Sequence, residues 1–242
     1  MCTWRLLKTW HVNELPNRAP PFPLVVLQTL LGYSFFHQNF AFAVSRLVGF
    51  YGMLRTGEIF SLTSESLFMN NAHSPIVVSL GLTKSGKRFG AAECVTIQVK
   101  QVQDWVWAWK QCVQPRTKLV VSEHAWRIFF SQALDSLQLQ TYDFRPYSLR
   151  RGGATFWFQK HGSFDQLLVA GRWRAASTAR ICLNEGLALL TELQIPRVNL
   201  QPFLNIFSKT TPCQLQKLEQ TPLKRRRAGG RGKRKSFGAK KN

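Results

Sequence analysis

Acidic residues are scarce in this 242-residue chain: 12 Asp and Glu stand against 33 Lys and Arg, a formal net charge of +21. An imbalance of that size points to a polyanionic partner, nucleic acid before others. Part of it is local. From Lys224 to Asn242 there are ten basic residues and no acid, yet the other 23 still face all 12 acids, so the body is basic in its own right. Cysteine is sparse and unpatterned. Cys2, Cys94, Cys112, Cys182 and Cys213 form an odd set with no CxxC, and none lies at zinc-ligand spacing from the five histidines. The pattern speaks against a disulfide scaffold and a zinc motif and leaves free thiols in a reducing compartment. No apolar run reaches the roughly 18 residues that span a bilayer. The N-terminal MCTWRLLKTWHVNELP lacks a signal peptide's continuous apolar stretch and small-residue cleavage site. The expectation is an intracellular protein without membrane, metal or cofactor. Tyrosine is scarce as well, with Tyr33, Tyr51, Tyr142 and Tyr147 and none beyond.

What the chain does have is core-forming material: 45% hydrophobic residues, including 18 Phe and 8 Trp. Residues 1–23 end in Pro16, Pro20, Pro21 and Pro23 and read as an extended lead-in, because proline lacks the amide a helix or central strand needs. Apolar helices are predicted over about Leu24–Phe36 and Phe40–Leu54, the second with so few polar positions that it must be buried. Ile76–Leu82 and Ala92–Val99 read as strands around the turn Thr83-Lys84-Ser85-Gly86-Lys87. Helical periodicity returns at Val102–Val113, Glu123–Leu139, Ser148–Lys160, Ser163–Ala170 and Ala175–Leu190. After Pro196 the pattern weakens, which makes 196–223 a weakly structured linker and 224–242 a disordered basic tail. The fold class is mainly α with a small antiparallel β-hairpin or sheet inserted, an α+β domain.

Four constellations carry chemistry. The first is Arg55-Thr56-Gly57-Glu58, an arginine after a buried helix with an acid at +3. An arginine there must meet an anion; an Arg55–Glu58 pair capping the next helix satisfies this as well as a phosphate does. The second is Lys84-Ser85-Gly86-Lys87-Arg88, cations on a tight turn that are commonly just solvated. The third is Tyr147-Ser148-Leu149-Arg150, where residues three apart share a helical face and can address one phosphate; Arg151 follows. The fourth is Gly171-Arg172-Trp173-Arg174, with Cys182 nine residues beyond Trp173. Trp173 has an indole N–H that can donate to a phosphate oxygen, and it can equally well just pack.

The order Arg55, Lys84, Tyr147-x-x-Arg150, Trp173 and position 182 resembles the catalytic domain of the tyrosine recombinases, the phage-integrase type, over roughly residues 24–195. That resemblance implies a DNA breaking-rejoining fold. It assigns Arg55 and Arg150 to the scissile phosphate, with Glu58 as local support. It assigns Lys84 to the leaving 5′ oxygen, with Lys87 one turn away as the alternative. It makes residues 1–23 the remnant of a missing N-terminal DNA-binding domain. The Gly-Arg-Trp turn is closer to the divergent eukaryotic recombinases of mobile elements. The family cuts one strand of double-stranded DNA through a 3′-phosphotyrosyl intermediate, without metal or cofactor, and its members can self-associate on DNA.

Two positions depart from the pattern. Tyr147 stands where histidine is usual, and a phenol is a poor general base at neutral pH. Cys182 stands where the nucleophilic tyrosine belongs. Its side chain is far shorter, and a misplacement near 1 Å already costs about 10²-fold. The expectation is a DNA-binding descendant of a recombinase or integrase, catalytically impaired at position 182. The alternative is a basic helical nucleic-acid-binding or assembly protein unrelated to the family. Lys87, Arg88, Arg151, Arg172, Arg174, Lys224, Arg225, Arg226 and Arg227 are the further candidates for nucleic-acid contact. The basic tail also reads as a nuclear-import signal.

Overall fold

The computed structural model describes residues 18–81 and 92–213. Its core is built on two apolar helices, α1 (Leu24–Phe36) and α2 (Phe40–Tyr51). α1 has no polar face to keep in water, and Val26, Leu27, Leu30 and Leu31 are at most 1% exposed. Pro23 stands just ahead of the first turn, where a missing N–H costs nothing. The Asn39 side chain accepts from the Phe42 N–H at 3.2 Å and so starts α2. That helix stops short of the expected Leu54; Gly52 ends it and Met53 turns the chain at φ 46°.

A short α3 (Thr56–Ser61) leads into a three-stranded antiparallel sheet of β1 (Leu67–Phe68), β2 (Ile76–Gly81) and β3 (Glu93–Ile97), in that spatial order. The expected strand pair is β2–β3, with Ile76 opposite Ile97 and Val78 opposite Val95. Those four are buried while Val77 and Thr96 face outward, the alternation a one-sided sheet requires. β1 is too short to have a sequence pattern. In α4 (Lys100–Cys112), Val102, Trp105, Val106 and Trp109 recur at helical spacing and are all buried. Ser122 caps α5 (Glu123–Ser136), and Trp126 on that helix donates its indole N–H to Ser45 Oγ at 2.9 Å.

α6 (Ser148–His161) passes between two backbones. A Cβ on Gly152 would lie 2.4 Å from the Phe22 carbonyl oxygen, and one on Gly153 would lie 2.0 Å from that of Phe50. Glycine is required at both. The same contact holds the extended segment before α1 against α6. Ala19 and Phe22 are buried, and the Phe22 N–H donates to the Ser148 carbonyl at 3.2 Å.

The described chain continues with α7 (Phe164–Ala170), α8 (Ala176–Cys182), α9 (Glu185–Gln194) and α10 (Arg197–Lys209). The single helix expected over 175–190 is broken, because the Asn184 side chain accepts from the Leu187 N–H at 2.9 Å and starts α9 anew. The weakly structured linker expected from 196 is helical as far as Lys209. Pro202 interrupts the apolar pattern there, yet Leu200, Phe203, Leu204 and Phe207 share a face and pack on the core. α10 approaches α1 so closely that a Cβ on Gly32 would lie 1.9 Å from the Phe203 carbonyl oxygen. Among the described residues no helix is long and apolar enough to cross a membrane.

Candidate functional site

Three turns meet at one end of α6: the α2–α3 turn, the 171–173 turn after α7, and the residues that open α6 itself. At the first, the Arg55 N–H donates to Glu58 Oε2 at 2.8 Å and Arg55 Nη1 donates to Oε1 at 2.7 Å. Glu58 thereby closes the first turn of α3, so the capping pair anticipated from the sequence is present. The Arg55 side chain keeps 40% of its surface exposed and Glu58 only 10%.

Glu58 reaches a second arginine more than a hundred residues away. Arg172 Nη2 donates to Oε2 at 2.9 Å and Nη1 donates to Oε1 at 3.2 Å, a two-pronged contact. Arg172 Nη1 also reaches Glu93 Oε2 on β3 at 3.2 Å. Burial alone would push the Glu58 carboxyl up. The hydrogen bonds and charge of Arg172, joined by Arg55, outweigh it and hold Glu58 below its ordinary value.

Arg150 lies in the first turn of α6 and is 1% exposed. Its Nη1 donates to the Met53 carbonyl and its Nη2 to the Gly171 carbonyl, the latter at 2.8 Å. Its guanidinium carbon stands 4.4 Å from the centre of the Trp173 ring. Trp173 lies tight on residue 171, where a Cβ would fall 1.6 Å from the ring. Trp173 thus packs on Arg150 and on the backbone at residue 171. Burial first, then the charges of Arg55 and Arg172, push Arg150 down to about 10, which still leaves it cationic at neutral pH.

Tyr147 immediately precedes α6 and is 40% exposed. Its hydroxyl lies 3.2 Å from Sγ of Cys182, which has no exposed surface. Burial, then the contact with Cys182, raise the Tyr147 phenol, while the charges of Arg150 and Arg151 act in the opposite direction.

Arg151, a candidate for nucleic-acid contact, is placed elsewhere. It is 3% exposed, with Nη1 donating to the Ala19 carbonyl and Nη2 to the Ile181 carbonyl at 3.0 Å. It fastens the segment before α1 and the end of α8 to α6. Arg172, likewise a candidate, is committed to its two carboxylates, whereas Arg174 is exposed. Lys84, Lys87, Arg88, Lys224, Arg225, Arg226 and Arg227 lie outside the described residues.

Two participants had no signal in the sequence. Met53 contributes a backbone carbonyl, and Glu93 opens an otherwise ordinary strand. A further charge, Arg46, was also missed. It is fully buried on α2, 3.5 Å over the Phe42 ring and within 5.5 Å of the centres of Phe130 and Trp126, and none of its guanidinium nitrogens has a hydrogen-bond partner.

The site thus collects Arg55, Arg150 and Arg172 around Glu58, with Tyr147 over Cys182 alongside. Such a surface can attract an anion at Arg55 and offer it a hydroxyl donor. No protein-family profile matches the chain, and no curated protein matches it in sequence. Solved structures do match. The pre-cleavage complex of XerH site-specific recombinase bound to difH substrate superimposes with a TM-score of 0.53 at 13% identity, over 76% of this chain and 56% of the recombinase. The post-cleavage complex of XerH with palindromic difH substrate gives 0.50 at 15% identity, over 69% and 50%. The chain therefore spans about half the length of those recombinases. Its mainly helical body with a three-stranded antiparallel sheet is the fold of a tyrosine-recombinase-like catalytic domain.

Proposed function

We propose that this chain is a double-stranded-DNA-binding protein derived from a site-specific tyrosine recombinase or integrase of mobile-element type, in which strand cleavage through residue 182 is lost. One observation supports the reading: Arg55 and Arg150, the two arginines that the family pattern assigns to the phosphate, converge with Tyr147 at one end of α6, on a fold like that of a recombinase bound to its substrate. Fixed guanidinium groups are what an anionic phosphoryl transition state needs, and what a phosphate needs for binding. The body's own positive charge supports non-specific attraction to the duplex, with the basic tail as a second arm and nuclear-import signal. The buried Cys182 thiol lies beneath the Tyr147 hydroxyl and is too short to approach a phosphate on the surface.

The test is binding of a randomised duplex pool by the protein with residues 224–242 deleted. Retention of duplex by that variant, weakened in Arg55→Ala, is the expected result. Loss of all binding on deletion of the tail would overturn the reading, since the folded domain would then not be the binding element.

A further inference from the structure

A cleft of about 400 Å³ opens between the exit of β3, the second half of α6 and the start of α7. None of the arginines of the candidate site lines it. Its volume falls within the ~300–1,000 Å³ typical of small-molecule sites. One wall is aromatic. Tyr51 meets Phe156 edge to face with ring centres 5.6 Å apart, and the Trp157 ring is backed by that of His161 at 4.3 Å. Tyr51, Phe156 and Trp157 are half-buried, so they keep apolar surface in water that a flat ligand would cover. Polar ends come from three separate elements: Gln98 just after β3, Lys160 on α6 and Gln166 on α7. All three are exposed, and none of these side chains has a hydrogen-bond or ion-pair partner among the described residues. A glutamine amide sets a donor beside an acceptor, the pairing that an adenine edge offers. An ammonium serves a phosphate as a point charge. Rings alone would suit any flat molecule, a neutral sugar included. The added cation, on a body already basic, favours an anionic one.

We propose that this cleft binds a single nucleotide, with its base on the aromatic wall, the base edge at Gln98 and Gln166, and the phosphate at Lys160. The site stands apart from the arginine cluster and does not depend on the DNA-binding reading above. A free nucleotide and an unpaired nucleotide within a DNA strand present the same chemistry to it. Stacking supplies the sequence-tolerant part of the affinity, because every base has a π-face. The amides then discriminate among base edges, and the ammonium separates a nucleotide from a nucleoside.

The experiment is equilibrium dialysis of the full chain against radiolabelled dAMP, with deoxyadenosine and inorganic phosphate in parallel. Saturable binding of dAMP, tighter than of either part, is the expected result. Trp157→Ala should weaken dAMP and deoxyadenosine alike by about 5–150-fold, the range for one base–aromatic stack. Trp157 is half-buried, so Gln98→Ala and Lys160→Gln, at exposed positions, are the variants whose thermal unfolding should match that of the unaltered chain. Lys160→Gln should weaken dAMP by up to about 5-fold and leave deoxyadenosine unchanged. Gln98→Ala should weaken both. Binding of dAMP no tighter than that of phosphate, or unaffected by all three variants, overturns the proposal, since the anion would then be held by the chain's general charge. A dA oligonucleotide and its abasic counterpart, added as competitors, distinguish the two sources. Displacement of dAMP by the first alone assigns the cleft to a nucleotide within a strand. Equal displacement by both, or by neither, assigns it to a free nucleotide.

Discussion

Arg46 and Arg150 are both withdrawn from solvent, and the protein accommodates them by opposite means. Arg46 lies in an aromatic cage on α2, flat over Phe42, with no acceptor for any of its nitrogens. Arg150 has one aromatic face, Trp173, and two backbone carbonyls that take its donors. Burial pushes both guanidinium groups down, Arg46 well below its ordinary value. The difference separates filling space from fixing geometry. Ring faces tolerate sliding, whereas two carbonyls on separate turns fix where the guanidinium sits and hold those turns together. Arg150 is thus the joint of the candidate site, and Arg46 a charge enclosed by the core.

The comparison is most directly broken at the joint. Arg150→Ala leaves two buried carbonyls without donors and unties the α2–α3 turn from the 171–173 turn. A loss of about 3–5 kcal/mol in urea-induced unfolding is expected. A loss below about 1 kcal/mol would show that the carbonyls find water and that the joint is incidental. Arg172 extends the contrast to a third environment, a guanidinium held by carboxylates. Glu58→Gln removes the ionised acceptor and costs about 1.5–3 kcal/mol at neutral pH. It also changes the acid limb. Because folding lowers the Glu58 carboxyl, its contribution is full above the unfolded value of about 4.3 and fades as pH falls toward the folded one. Stability between about pH 5 and pH 3 should therefore fall less steeply in the variant, as thermal melts across that range would show.

Arg46→Met sharpens the other side. A flexible apolar chain of similar length replaces a buried guanidinium with no acceptors, and the expected change is neutral to a gain of about 1–2 kcal/mol. A clear loss would mean that the ring faces support the cation more than their geometry indicates. The smallest effect on folding is at Arg55→Ala, within about 1 kcal/mol, since the group is partly exposed. Its effect belongs to binding, where one lost phosphate contact lowers the slope of log K against log salt by about 0.9.

The sequence revealed the fold's repeating elements and the order of the site's charges. Helices with regular apolar spacing, such as α4, and the alternating β2–β3 pair follow from local periodicity. Arg55 and Glu58 were legible for the same reason, being three residues apart at a helix start. What stayed hidden depends on contacts between distant segments. Nothing near Arg151 indicates that it would seek the Ala19 carbonyl, and nothing near Arg172 indicates Glu93. α10 was obscured by Pro202, which breaks the pattern but not the helix, because the packing of Phe203 and its neighbours on α1 compensates. Arg46 was passed over as one polar residue in a helix read as apolar.

The contact between Gly32 and the Phe203 carbonyl joins the first and last long helices of the described chain. During synthesis α1 emerges early, with its narrowest face prepared for a partner that the ribosome has yet to make. Contacts that distant in sequence form late and set the pace of folding. Until α10 arrives, the most apolar of the described helices lacks that cover, and a chain cut before residue 197 would leave that face bare for another molecule to occupy.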